Sequence, residues 1–198
     1  GRFTMEQVAD VHDGFANAMR LTCTTADTSI ASNERLLIKQ SFEGKDLQHI
    51  KKGTSEAEQL TLSFYVKAYQ AGTYHFNIYK SDGPRFIAKT YTVDASATWQ
   101  RVVIPFTGDT DTTGMLATTG SGFNLSWIFA AGTNYTSGST QTTWGSWPGN
   151  PGFAAGQAVN VASSTDNYFR ITGIQLEVGS KATAFEHKPF AEELQRCR

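Results

Sequence analysis

At 198 residues, with 17 basic against 18 acidic side chains and a net charge of −1, the chain is long enough to fold as one domain with a sizeable core. A charge balance so near neutrality leaves no sequence-independent attraction to a nucleic-acid backbone or an anionic membrane, which argues against a nucleic-acid partner. No apolar run approaches the roughly 18 residues a membrane span needs, and residues 1–4 lack a signal-peptide core, so membrane insertion is not expected either.

The chain starts at Gly1 rather than Met and stops at Arg198 inside a charged segment, which suggests a piece excised from something longer. The hydrophobic period is two almost throughout. Strands are expected at residues 19–24 and 36–42, where β-branched and aliphatic side chains cluster between polar stretches. The strongest signal is residues 60–69, in which Leu60, Leu62, Phe64, Val66 and Ala68 share one face while Thr61, Ser63, Tyr65, Lys67 and Tyr69 share the other. Ala71 and Gly72 then make a turn, and Tyr74, Phe76 and Ile78 resume the alternation, so the two runs read as a hairpin. A second turn at Ser81, Asp82, Gly83 and Pro84 leads to strands at 86–93, 99–106 and 123–130. Two Gly-, Ser- and Thr-rich stretches, 107–122 and 132–164, are too long for tight turns, and long loops in compact domains tend to carry function.

The last strand, 169–178, changes parity in mid-course. Phe169 and Ile171 fall on one face and Ile174, Leu176 and Val178 on the other. A bulge at Thr172 and Gly173 would bring both sets to the core. Beyond Gly179 and Ser180 a short helix is expected. Pro189 suits its first turn, Glu192 and Glu193 its positive end, and Arg196 and Arg198 its negative end, while Phe190, Leu194 and Cys197 form one apolar stripe. A helix of about ten residues is marginal alone, so the stripe must pack on the sandwich or on another subunit, which makes Phe190 and Leu194 candidate oligomer contacts. The resulting expectation is an all-β fold, an antiparallel jelly-roll β-sandwich with long loops over residues 1–180, followed by a C-terminal extension, 181–198, with a short amphipathic helix. Cys23 and Cys197 admit two readings: a disulfide closing a very long loop, or two free thiols with Cys23 as a small core hydrophobe.

Candidate chemistry is sparse. His12, His49, His75 and His187 are scattered, without the spacing of a metal site, and are read as surface or structural residues; His75 would stand on the outer, polar face of its strand, open to a glycan or to nothing. No Gly-x-Ser-x-Gly elbow is present, and Ser121, between two glycines, reads as a flexible loop. Asp109, Asp111, Glu177 and Glu186 could be proposed as a glycosidase acid pair, though such pairs meet in space rather than in sequence. Asp109 and Asp111 also suggest calcium ligands, but the glycine and distal glutamate of a full calcium loop are missing, and a solvated loop fits them better. Neither a catalytic residue, a metal nor a cofactor is therefore assigned.

More telling are Tyr135, Trp144, Trp147 and Phe153, spread through a loop rich in hydroxyl and amide groups and nearly free of charge. A pyranose has an apolar C–H face that stacks on flat rings and hydroxyls that pair with Asn, Gln, Ser and Thr, which makes these four the candidate glycan-binding residues. Two other uses fit the same side chains: pinning the loop onto the sandwich, or burial between subunits.

The chain resembles a known family through Ala26 and Asp27, Ser41 to Gly44, Thr61 to Val66, Thr98 to Gln100, Leu125 to Trp127 and, most specifically, Ile171 to Ser180 with Ala182 to Glu186 and Glu192 to Cys197. It is similar to the carbohydrate-binding-module-like β-sandwich domain that recurs in the C-terminal part of tail fibre and other structural proteins of tailed phages. One departure is that 170–174 lacks the aspartate that often ligates calcium in such modules. The resemblance implies a non-enzymatic virion appendage, assembled in the host cytoplasm with other virion subunits, including its own copies as a homotrimer, and binding host cell-surface carbohydrate during attachment. The alternatives are a decoration or fibre-assembly module without glycan binding, and a capsule depolymerase.

Overall fold

The computed structural model describes residues 2–80, 83–114 and 119–196, with backbone only at Phe190, Glu193 and Arg196. Among them ten strands form: β1 (Arg2–Val8), β2 (Ala18–Thr25), β3 (Arg35–Glu43), β4 (Leu60–Ala68), β5 (Gly72–Lys80), β6 (Arg85–Val93), β7 (Gln100–Phe106), β8 (Ser121–Ala131), β9 (Gly145–Ser146) and β10 (Tyr168–Val178). Two short helices, α1 (Thr133–Thr136) and α2 (Phe190–Arg196), complete the elements the site and tail require. The strands build two sheets, β1-β2-β10-β4-β7 and β3-β8-β5-β6-β9, antiparallel throughout and packed as a jelly-roll sandwich. Of the expected turn after β5, Ser81 and Asp82 lie outside the described residues, as do Cys197 and Arg198.

The period of two places the core. On β4, Leu62, Phe64, Val66 and Ala68 point inward and are fully buried, facing Tyr74, Phe76 and Ile78 of β5 across the gap between the sheets. Trp127 of β8 sits at the centre, edge-on to Phe64 (6.1 Å) and Phe76 (4.9 Å). Removing this much aromatic and aliphatic surface from water is what holds the two sheets together, each large side chain contributing about 1.5–3 kcal/mol. Cys23 is buried as well, its thiol 3.6 Å from the Ala162 carbonyl, and burial raises its pKa.

The parity change in β10 is resolved by a bulge. Phe169 and Ile171 pair with Ala68 and Val66, the register slips between Thr172 and Gln175, and Leu176 and Val178 then pair with Leu62 and Leu60, on the same face. Gly173 takes φ +58°, and a Cβ there would stand 2.5 Å from the Phe15 ring. Ile174 lies within the bulge and stays 43% exposed, so its return to the core is not realised; Val178, at the sheet's end, is 44% exposed.

β1 was not expected. It is an edge strand whose residues are mostly solvent-facing, with Phe3 alone packed against the core, so it carries no clear alternation. The C-terminal segment after β10 folds back across the outer face of its own sheet. Gln175 and Glu177 act as a clip: the amide of Thr183 donates to Glu177 Oε2 (3.1 Å) and that of Glu186 to Gln175 Oε1 (2.8 Å). Arg101 donates to the Thr183 carbonyl. Phe185 and His187 then close against Phe15, each at 5.2 Å, and Phe15 packs on Tyr65 at 5.3 Å. α2 follows, with Leu194 40% exposed; the Phe190 side chain lies outside the described residues.

Candidate functional site

The outer face of the β3-β8-β5-β6-β9 sheet is divided into a covered half and an open half. The outward side chains of β5 and β6 are His75, Asn77, Tyr79, Phe86 and Ala88, and the long connection between β8 and β10 lies over most of them. It is fastened by backbone and side-chain bonds: Ala88 N donates to the Gln141 carbonyl (2.8 Å), Gln141 Nε2 to the Phe86 carbonyl (2.8 Å), Ala158 N to the Thr73 carbonyl (3.1 Å) and Trp147 N to the Pro84 carbonyl (3.1 Å). Under this cover Phe153 and Ala154 pack with Phe86, Ala88 and Ile128 in a second, smaller apolar cluster.

His75 is therefore not open to solvent or to a glycan, although its strand position does face outward. It is fully buried, with Nδ1 donating to the Ala155 carbonyl (2.7 Å), and among the described residues Nε2 has no hydrogen-bond partner. Desolvation lowers its pKa to about 4, so the ring is neutral at pH 7. Asn77 beside it donates to the Phe153 carbonyl (2.8 Å). Both side chains latch the segment that carries Phe153.

Over β3 and β8 the connection stops short and leaves a cleft of about 880 Å³, within the size range of small-molecule sites. Its floor comes from alternate residues, as a sheet face requires: Arg35, Leu37, Lys39 and Ser41 of β3, and Asn124 and Ser126 of β8. One wall is aromatic. Trp147 lies against Tyr79 (4.9 Å) and edge-on to Phe86 (5.1 Å), and Phe153 lies 5.9 Å from the indole. Asn124 is held in a fixed pose: it accepts from the Ser41 hydroxyl (2.7 Å), and its amide lies 3.0 Å from the Ser121 hydroxyl and 3.3 Å from the Tyr79 carbonyl. A flat apolar wall thus faces a row of oriented hydroxyl and amide groups.

Of the four loop aromatics, Trp147 and Phe153 line the cleft. Tyr135, on α1, stands behind it, its ring 4.9 Å beneath the Arg35 guanidinium and 6.1 Å from Phe153. Trp144 is elsewhere. Its indole stacks on Phe123 (5.5 Å, 27°), packs on the main core and donates from Nε1 to the Thr107 carbonyl (2.7 Å), which pins the loop to one end of the sandwich. Sequence reasoning did not single out Tyr79, Arg35, Lys39, Ser41, Asn124 or Ser126, which look like any solvent-facing strand positions until the connection is seen to leave them open.

The acidic candidates have other employment. Asp109 is neither solvated nor available to calcium: it is 5% exposed, bound by Arg85 through two bonds (2.6 and 3.1 Å), and 3.3 Å from Lys52 Nζ. Arg85 also reaches Asp111 (3.3 Å), and Lys52 donates to the carbonyls of Asp111 and Thr113. Three buried groups, Lys52, Arg85 and Asp109, together with the exposed Asp111, fix the residue 109–113 loop. Glu177 is spent on the tail clip. None of Asp109, Asp111, Glu177 and Glu186 lines the cleft, and among the described residues no cluster of three or more His, Cys, Asp or Glu could hold a metal ion.

A scan against protein-family models finds no match, and a search of curated protein sequences finds none either. Solved structures similar to this chain include the tandem CBM22 domains of Paenibacillus barcinonensis Xyn10C (TM-score 0.48, 9% identity, 90% of this chain and 44% of that one). Also similar are a CBM4 domain (0.45, 13%, 89% and 78%) and the family 11 carbohydrate-binding module of Lic26A-Cel5E from Clostridium thermocellum (0.43, 13%, 91% and 84%). The tripod from the baseplate of bacteriophage Tuc2009 is similar over 77% of this chain and 46% of its own, at TM-score 0.33 and 13% identity.

Proposed function

We propose that the chain is a non-enzymatic glycan-binding module whose ligand lies in the cleft over β3 and β8. The observation that carries this reading is the pairing, in one groove, of the Trp147, Tyr79 and Phe153 wall with the Ser41, Asn124 and Ser126 row. Stacking on the rings takes the apolar face of a sugar out of water, and the fixed amide and hydroxyls replace the water its hydroxyls lose. Among the described residues no carboxylate lines the cleft, which supports binding over hydrolysis, since glycosidases act through a pair of acids.

The resemblance of the terminal strand and tail to phage tail proteins supports a place in a virion appendage, as a host-attachment domain acting with other subunits in a homotrimer. A second reading, a fibre-assembly or decoration module, is favoured by the exposed Leu194 on α2. Titration of the purified chain against a glycan array tests the first. Trp147→Ala should weaken the best ligand by roughly thirtyfold, as expected for loss of about 2 kcal/mol at a central aromatic. Trp144→Ala should lower the denaturation midpoint and leave affinity near the parent's. Equal affinity of parent and Trp147→Ala would remove the cleft. Light scattering tests the second, where a trimer that dissociates on Leu194→Asp is expected.

A further inference from the structure

The charge of the cleft is as specific as its shape. Two cations, Arg35 and Lys39, line it, and among the described residues no acid does, in a chain whose net charge is only −1. The positive potential is thus local to the groove, not the overflow of a basic protein. Among the described residues neither cation is neutralised by an ion pair. Arg35 is instead held by rings: its guanidinium lies 4.9 Å over Tyr135 and 4.7 Å over Phe153. Ring contacts of this kind do not use up the guanidinium's N–H donors, which can grip a carboxylate or sulfate through two parallel bonds. Holding an arginine in place without an acid is a poor use of the charge for stability, and it leaves the donors pre-set for a ligand.

We infer that the cleft takes an anionic oligosaccharide, read by Arg35 as a bidentate anchor and by Lys39 as a second, mobile charge; this rests on the cleft being the sugar site proposed above. The two residues are four apart on β3, which separates their backbones by roughly 13 Å at about 3.3 Å per residue. Leu37 projects between them on the same face. That spacing suits an extended chain carrying an acid on more than one ring, with an apolar ring face lying over Leu37. A single acidic sugar would reach one charge only.

The test is a glycan array bearing uronic-acid, sialic-acid, sulfated and neutral oligosaccharides, followed by calorimetry on oligogalacturonate and its methyl ester at low and high salt. Acidic glycans should dominate the hits, and sulfated or carboxylated hits separately name the source of the charge. Should oligogalacturonate be among them, its methyl ester should bind at least tenfold more weakly, and added salt should weaken the acid more than the ester. Arg35→Gln and Lys39→Gln should each cost the best acidic ligand roughly tenfold and weaken neutral ligands by a smaller factor; Arg35→Lys should recover only part of the loss. Lys39 is exposed on the strand, so its replacement cannot fail through misfolding. Neutral glycans binding as tightly as acidic ones, with both variants like the parent, would overturn the inference and leave the sugar cleft standing. Failure of every glycan to bind would overturn both.

Discussion

Acidification should release the cover that walls the cleft. His75 is buried beneath residues 153–157, and desolvation holds its pKa at about 4 against an ordinary 6.5. The folded protein therefore binds this proton less readily than the unfolded chain does. Its contribution to stability is whole above pH 6.5 and is lost as the pH falls from there toward 4, at about 1.4 kcal/mol per pH unit. Two and a half units amount to about 3 kcal/mol, a large part of the 5–15 kcal/mol that keeps a domain folded. Carboxylates also contribute to acid unfolding, so the measurement is a difference. Denaturant midpoints of the parent and of His75→Gln are taken at pH 7, 6, 5 and 4. The variant begins less stable, because Gln cannot reproduce the Nδ1 bond to Ala155, and it lacks the titration. The gap should close by about 3 kcal/mol over this range. Stability curves that stay parallel from pH 7 to 4 would show that the ring is hydrated and the latch is not what the burial implies.

Two further outcomes concern the scaffold. Asp109→Asn leaves Arg85 and Lys52 buried with half of their compensating charge, and should cost about 3–5 kcal/mol by chemical denaturation; a loss under 1 kcal/mol would mean that water already screens the cluster. Gly173→Ala forces a side chain into a left-handed backbone and against the Phe15 ring, and should cost about 1–3 kcal/mol. Adding Phe15→Ala should recover the steric part, so strictly additive effects in the double variant would refute the contact.

What the sequence revealed, and what it hid, follows from which forces are local. Eight strands were legible because burial on one face writes a period of two directly into the chain, and the β10 bulge because a parity break with a glycine has few other solutions. β1 was hidden by its place at the sheet edge, where one partly buried apolar side chain is too few to make a pattern. The candidate site was legible in its composition but not in its membership. Trp144 and Trp147 share a loop and a polar setting, and only the path of that loop sends one indole onto Phe123 and the other onto Tyr79. Arg35, Lys39 and Asn124 carry no local mark at all, since a solvated strand face and a ligand-binding one are spelled alike. Asp109 misled for the opposite reason: its partners, Lys52 and Arg85, are distant in the chain, and a charge paired at long range looks solvated when read locally.

The tail clip of Gln175 and Glu177 lies on the outer face of one sheet, and the cleft lies on the outer face of the other. The molecule accordingly has a back and a front, separated by the roughly 10 Å between packed sheets and the side chains beyond them. A partner docked at the tail would meet the back and would not compete with the proposed ligand in the cleft at the front. Copies gathered by their backs would turn several clefts outward toward one surface. Avidity could then exceed the affinity of a single groove by 10²–10⁴-fold with no new contact in any of them, so a weak cleft would be sufficient for firm adhesion.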